Sequence, residues 1–479
     1  MAWITIANVR GPRGLVGPPG EMSFKPFPNT IMTSWIGLDK AALHRAGNQS
    51  TVDTLSGRPV GAGPGTIEVL PVGSTTSIIW WREYGELGRV WKRTVSSTVA
   101  YASGWELVQA VKRAATSLTC GTATDLRTAT DVGFAYPFRT AAQAHRWRLH
   151  IRNTNDRFAT TQSGSLMFNE IAIGEMVRDA NGNATGNYVE SSGTVILRDT
   201  ASSSTGGELV TDWVEHFPLQ PMIDYVFRVG FTASAGQQVN YLQGGGWELT
   251  GGSAVVHNPT TAQTRVAKAP LDVWIELEVN ADTPIFAYFG DSLTAGQDST
   301  LPVYDSWPAQ HAREHGAIPM FFAHAGATFA EWSDPAGIKF RKYLLPNYNN
   351  SNGRPTIARP DKLYVSMGSN TIFGEDKTLA QTIADMNVSL PLIKAVTSPN
   401  VVFTTILPRH DPDDPQEAVR KQYNDYLRDN IPWGALMVYD AAAPITAANG
   451  NQLDQRWTAA PTNIHLKSSG YARFAAAVG

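Results

Sequence analysis

Beyond Thr283 the chain settles into a rhythm that few folds accommodate. Five short apolar runs follow one another: PIFAYF (284–289), IPMFFAH (318–324), DKLYVSM (361–367), NVVFTTIL (400–407) and ALMVYD (435–440). Helix-period segments separate or follow them: SWPAQHAREHG (306–316), TLAQTIADMNVSLPLIKAV (378–396), PQEAVRKQYNDYLRDN (415–430) and SSGYARFAAAV (468–478). Strand–helix alternation of this kind predicts a parallel, doubly wound sheet. Strands apolar on both faces fit burial between two helical layers.

In such sheets ligands gather at the carboxyl ends of the strands. There this sequence places Gly290, Asp291 and Ser292, then His324, Ala325 and Gly326, then Gly368, Ser369 and Asn370, then Arg409 and His410, and finally Asp440. His465 falls in the loop before the last helix. A serine hydroxyl becomes a nucleophile once a base removes its proton, and His465 is the candidate base. The N–H groups of Ser292 and Gly326 and the side-chain amide of Asn370 are candidate donors to the oxyanion of an ester's tetrahedral intermediate. A helix beginning near Ser292 is expected to add a favourable dipole.

Residues 284–479 resemble the SGNH (GDSL-type) hydrolases. FGDSLTAG around Ser292, AHAGAT around Gly326, MGSNT around Asn370 and IHLKSSGY around His465 match the four family blocks in order. His324 stands where the family usually has asparagine, and Thr371 where aspartate is common. The resemblance implies a three-layer, flavodoxin-like α/β fold. It also implies a serine esterase with Ser292 and His465 as catalytic pair, Ser292, Gly326 and Asn370 as oxyanion hole, and neither cofactor nor metal. Family members usually carry an aspartate three residues before the histidine, and Thr462 occupies that place here. Three arrangements remain open. A backbone carbonyl orients His465, or Asp454 (less favourably Asp440) reaches it from elsewhere, or the site is degenerate and the domain only binds.

The first 283 residues read differently. GPRGLVGPPG (11–20) keeps glycine at every third position, as the crowded axis of a collagen triple helix requires. A short trimeric stalk, or a plain Gly/Pro linker, follows from it. Residues 1–65 form an attachment segment and connector, with a helix-like patch at 38–45. Residues 66–115 form a β-rich module holding Trp80, Trp81, Trp91 and Trp105, either as core or as a sugar-stacking surface. Residues 116–283, with RWRLHIRN, SLMFNEIAIGE, GTVILRD, DYVFRVGFTA and DVWIELEVN as strands and Asn-Gly at a hairpin tip in 178–183, predict a β-sandwich with a spacer or glycan-binding role. The chain is therefore expected to be multidomain.

Other clusters have plainer explanations. HDPDD (410–414) suits a helix cap better than a calcium loop. His311 and His315 stand four apart without a third ligand, so no metal is expected. Trp307 and Trp332 are expected to pack, with a substrate groove as the alternative. The net charge of −3 supplies no field for nucleic acid, and no apolar run approaches the roughly 20 residues needed to span a bilayer. Lone Cys120 makes no internal disulfide, and the opening MAWITIANVRGPRG carries no secretory leader pattern, which points to folding in a reducing cytoplasm. Together the parts resemble a bacteriophage minor tail protein, a tail fibre or tailspike. That resemblance implies a homotrimer in the virion, assembled in the host cytoplasm and joined to other tail or baseplate proteins through its N-terminus. It would deacylate host cell-envelope glycan, most simply at O-acetyl groups. A receptor-binding fibre with a degenerate hydrolase domain, and a bacterial esterase with a β-accessory domain, are the alternatives.

Overall fold

The computed structural model describes residues 42–46, 65–73, 76–83, 90–96, 106–109, 111–155, 160–161, 165–203, 208–334, 357–409, 414–460 and 464–479. The collagen-like run, Trp105, His410 to Asp413 and Thr462 lie outside them. The chain divides at Val111 into two compact units.

In the first unit five strands form an antiparallel meander in chain order: Ala42–Ala46, Gly65–Gly73, Thr76–Glu83, Val90–Ser96 and Glu106–Gln109. Within the helix-like patch at 38–45, the described residues 42–45 belong to the first of these strands, and 38–41 lie outside the described residues. Pairing with the second, His44 opposite Ile67, overrides the local helical tendency. Trp81 lies directly opposite Trp91, and both are buried, so these two indoles are core rather than a sugar platform.

The second unit opens with a β-sandwich. The strand Val111–Ser117 joins a four-stranded sheet through Asp272–Asn280, so the sandwich begins at 111 and not at the expected 116. The other sheet has eight strands, built around Ser165–Arg178, Asp224–Ala233 and Asp131–Arg139. Trp147 of the smaller sheet meets Phe227 of the larger edge-on, 5.0 Å between centroids, and alternate residues of both sheets fill one apolar core. The RDANGN turn joins two paired strands, and the Asp179 carboxylate accepts from the Asn181 and Asn183 N–H groups. Arg228, fully buried, donates to the carbonyl of Gly186 (2.9 and 2.7 Å), to Asn258 O and to Asn187 Oδ1 (3.0 Å), and lies over the Tyr188 ring. Burial lowers its pKa to about 10, and carbonyl dipoles stand in for a counter-ion.

The α/β part has five parallel strands, β1 (Ile285–Gly290), β2 (Ile318–Ala323), β3 (Lys362–Ser366), β4 (Val401–Thr404) and β5 (Met437–Tyr439), in the order β2-β1-β3-β4-β5. Its helices are α1 (Trp307–Glu314), α2 (Ser369–Phe373), α3 (Leu379–Val396), α4 (Gln416–Asn430) and α5 (Ser468–Ala475). Thr378 and Gln381 close a capping box at the start of α3. Side chains of β1 alternate between two cores. Ile285, Ala287 and Phe289 face Met386, Leu390 and Leu427 of α3 and α4, whereas Phe286 and Tyr288 face Trp307 and Phe474 of α1 and α5. That is a three-layer sandwich with the flavodoxin-like strand order.

The two parts of this unit are fastened together. Cys120, 1% exposed, donates its thiol to Ala323 O at the end of β2 (2.8 Å), and Gly245 N–H donates to Pro302 O (2.9 Å). Tyr304 hydrogen-bonds Asp224, which Arg139 grips with two further bonds at 2.5 and 2.6 Å.

His311 is buried in α1, and its Nδ1 shares a hydrogen bond with the Tyr288 hydroxyl (2.7 Å). Burial lowers its pKa from 6.5 to about 3. The unfolded chain therefore binds the extra proton first, and stability present above pH 6.5 is lost progressively as pH falls toward 3, by at most about 4–5 kcal/mol. His311→Gln, which keeps an acceptor for Tyr288, is expected to flatten the decline of apparent melting temperature between pH 6.5 and 4.5 relative to the parent protein. Parallel declines in the two proteins would contradict this assignment.

Candidate active site

β1 ends in Gly290, where any side chain would collide: a Cβ there would stand 1.9 Å from Thr294 Oγ1. The chain can thus fold back tightly just before the serine. No helix follows. Residues 291–305 run through successive turns, with Ala295 N–H to Asp291 O (3.0 Å) and Gln297 N–H to Ser292 O (2.9 Å). Gly296, Asp298 and Val303 all have positive φ, which interrupts helix formation and removes the helix dipole expected at Ser292.

This folded loop carries two functional groups. Ser292 Oγ is 2.9 Å from His465 Nε2. His465 Nδ1 is 3.0 Å from Asp298 Oδ2. Hydroxyl, imidazole and carboxylate form one hydrogen-bonded chain, with the acid six residues after the serine in sequence. Asp454, offered by the sequence for this role, sits elsewhere: its carboxylate receives the Arg456 N–H and guanidinium, 2.9 Å at Nε, which lowers its pKa. Asp440 receives the Thr405 hydroxyl (2.9 Å) and Arg428 (3.0 Å). The loop geometry explains the change. An aspartate tolerates φ of +64° better than most residues, and there its carboxylate turns back toward the imidazole.

His465 reaches this loop because its own segment is stitched to it. The Ser468 hydroxyl accepts from Thr300 N–H (2.9 Å) and donates to the Asp305 carboxylate (2.9 Å). Tyr471 of α5 donates to Gln297 O (2.7 Å). Burial raises the pKa of Asp305, opposed by the Ser468 bond.

The proposed oxyanion donors gather on the same rim. Gly326, at φ +79°, sits in a turn closed by Ala327 N–H to His324 O (3.2 Å). Asn370 Nδ2 donates to Ala327 O (3.2 Å), which brings that turn against α2. Asn370 Oδ1 accepts from Arg409 Nη2 (3.1 Å), so the amide is held from both ends in one orientation. Among the described residues neither Ser292 N–H nor Gly326 N–H is spent on a hydrogen bond within the protein. Ser292, Leu293, Asn370, Leu407, Arg409 and Ile464 line a cavity of about 260 Å³ including its mouth. Asp291 also borders it; burial raises the pKa of its carboxyl, and Leu293 N–H donates to it (3.0 Å).

The remaining sequence candidates are structural. His324, nearly fully buried, pairs with Glu331 (3.0 Å). Thr371 Oγ1 accepts from Phe329 N–H (3.1 Å). Trp307 and Trp332 are core, Trp332 edge-on to Phe289 at 5.1 Å. Asp414 accepts from Gln416 N–H at the start of α4 (2.8 Å). His311 and His315 stack within the protein, and among the described residues no three His, Cys, Asp or Glu side chains are placed to hold a metal. Asp298 and the positioning role of Arg409 were missed by sequence reasoning. The available signal was an acid inside the serine loop itself, DSLTAGQD.

No family model and no curated protein matches the chain. Solved structures similar to it include a family two carbohydrate esterase from Cellvibrio japonicus (10% identity, 77% of this chain and 96% of that one, TM-score 0.32). Others are a family two carbohydrate esterase from Clostridium thermocellum in complex with cellohexaose (11%, 76% and 97%, 0.33) and a member of the lipolytic G-D-S-L family from Veillonella parvula (15%, 40% and 95%, 0.28). Scores this low carry no weight for function, which rests on the side-chain geometry.

Replacing Asp298 by asparagine is expected to lower turnover of an acyl ester by a hundred- to ten-thousand-fold, whereas Asp454→Asn leaves it within about twofold. Steady-state kinetics of the two variants would distinguish them, and the opposite ranking would refute the observed triad.

Proposed function

We propose that this protein is a serine esterase of SGNH type that removes short O-acyl groups, most simply O-acetyl, from cell-envelope glycan. The observation that carries the reading is the unbroken chain from Ser292 through His465 to Asp298. His465 Nε2 takes the Ser292 proton as Oγ bonds to the ester carbonyl carbon, while Asp298 holds the imidazole by its far nitrogen. The carbonyl electrons move onto oxygen, where Ser292 N–H, Gly326 N–H and Asn370 Nδ2 are the candidate donors. Collapse expels the sugar alkoxide, which takes the proton back from His465. Water then repeats the sequence on the acyl-enzyme and releases the carboxylic acid.

The pocket beside Ser292 supports a short acyl chain over a long one: it is shallow and encloses only about 10 Å³, room for roughly one water molecule. An intact hydrogen-bonded triad counts against a degenerate, binding-only domain. Release of p-nitrophenol from its acetate ester is expected, at a rate at least about tenfold above that from the octanoate, and Ser292→Ala is expected to abolish it. Equal rates in parent and Ser292→Ala proteins would remove the esterase reading.

The setting is a second part of the proposal: a homotrimeric bacteriophage tail protein that carries the esterase to the host surface. Support comes from the Gly-X-Y run at 11–20 beside β-rich modules. Sedimentation equilibrium of the full chain should return three times the monomer mass of 52.0 kDa. A monomer at micromolar concentration would exclude the trimeric arrangement.

A further inference from the structure

Arg409 is the one feature of the candidate site that ester hydrolysis leaves half explained. Its guanidinium lies over the Phe373 ring at 4.6 Å and borders the same cavity as Ser292. A guanidinium has five N–H donors. Only Nη2 is engaged, with Asn370 Oδ1 at 3.1 Å and Ser369 Oγ at 3.4 Å. Nε is shielded from solvent and has no partner, and among the described residues no carboxylate is paired with this side chain. The nearby acids act on it only at longer range: Asp291 on the cavity wall and Asp414 before α4. A cation taken out of water without a counter-ion is costly, and proteins usually supply a partner.

Holding Asn370 needs one amine of that group, and a neutral donor would do it at lower cost. With Nη2 engaged and Nε shielded, Nη1 is the amine left to meet a ligand, a charged donor suited to one oxygen of a carboxylate or a phosphate. We infer that Arg409 receives an anionic group carried by the substrate close to its ester, so that the preferred substrate is an O-acylated acidic glycan. This inference rests on the esterase reading above and narrows its substrate class. The shared chemistry is an oxyanion that accepts from Nη1, supplied by the carboxylate of a uronic-type sugar or by a phosphodiester-linked polymer. Asp291 sets the geometry: the anion must approach from the Arg409 side of the cavity.

Two chromogenic esters test it, p-nitrophenyl acetate and the acetate ester of 5-hydroxy-2-nitrobenzoate, which differs by a ring carboxylate. The parent protein is expected to prefer the anionic ester by about ten- to a hundredfold in kcat/KM, chiefly through KM. In Arg409→Gln that preference falls to near unity, and Arg409→Lys keeps part of it. Whatever the two esters lose in common belongs to the Asn370 contact, so an equal loss on both, with the preference intact, overturns the inference. So does a parent protein without preference. Competition against the neutral ester by glucuronate or by glycerol phosphate identifies the source, the stronger competitor naming it, and inhibition by neither counts against an anion site. If the parent protein hydrolyses neither ester, the esterase reading itself fails and takes this inference with it; hydrolysis without charge preference removes the inference alone.

Discussion

One serine hydroxyl, that of Ser468, joins parts of the chain that are far apart in sequence. It accepts a hydrogen bond from the Thr300 amide in the loop that carries Ser292 and donates one to Asp305 in the same loop. With the Tyr471 bond to Gln297 O, that tie sets the distance from the imidazole three residues earlier to Ser292. The Thr300 bond is exposed, whereas the Asp305 bond is partly shielded from water, where an unmade bond costs more than a made one contributes. The last helix thus acts as a positioning element. Its apolar face packs with Trp307 and Tyr288, and its first residue sets the catalytic histidine.

The sheet supplies the rigid frame for this tie. β1 is flanked by β2 and β3, and its side chains divide between two cores, so its end can shift little. The β-sandwich adds a second constraint. Tyr304, in the same loop as Ser292, is fixed to Asp224 and, through it, to Arg139 of the sandwich. A charged cluster in the accessory part therefore buttresses the loop that carries Ser292.

Much of this was legible in the sequence, and the failures have physical causes. The five apolar runs became the five parallel strands: four are buried on both faces and have no polar alternation to misread, and the fifth, Met437–Tyr439, is a partly exposed edge strand. Ser292 and His465 stood out by their order on that pattern, and the structure brings them within 2.9 Å. Asp298 did not, because its place is set by a left-handed backbone turn and by a partner 167 positions away. Spacing to the histidine pointed to position 462, where threonine stands, and Asp454, offered as an acid reaching from elsewhere, is captured by its neighbour Arg456. The patch at 38–45 looked helical on local grounds, and a strand partner more than twenty residues later decided otherwise. Arg409 could be placed at a strand end from sequence, yet its shielded, unpartnered nitrogen is a fact of three dimensions.

Locating nucleophile and acid on a single short loop has a mechanical consequence. In a triad assembled from three distant segments, any of three elements can drift and leave a partial relay. Here the alcohol and the carboxylate ride together, and only the ring travels independently. A fluctuation of the terminal segment breaks both of the ring's bonds at once, so the relay is either complete or absent, with its readiness governed by the docking of one short helix.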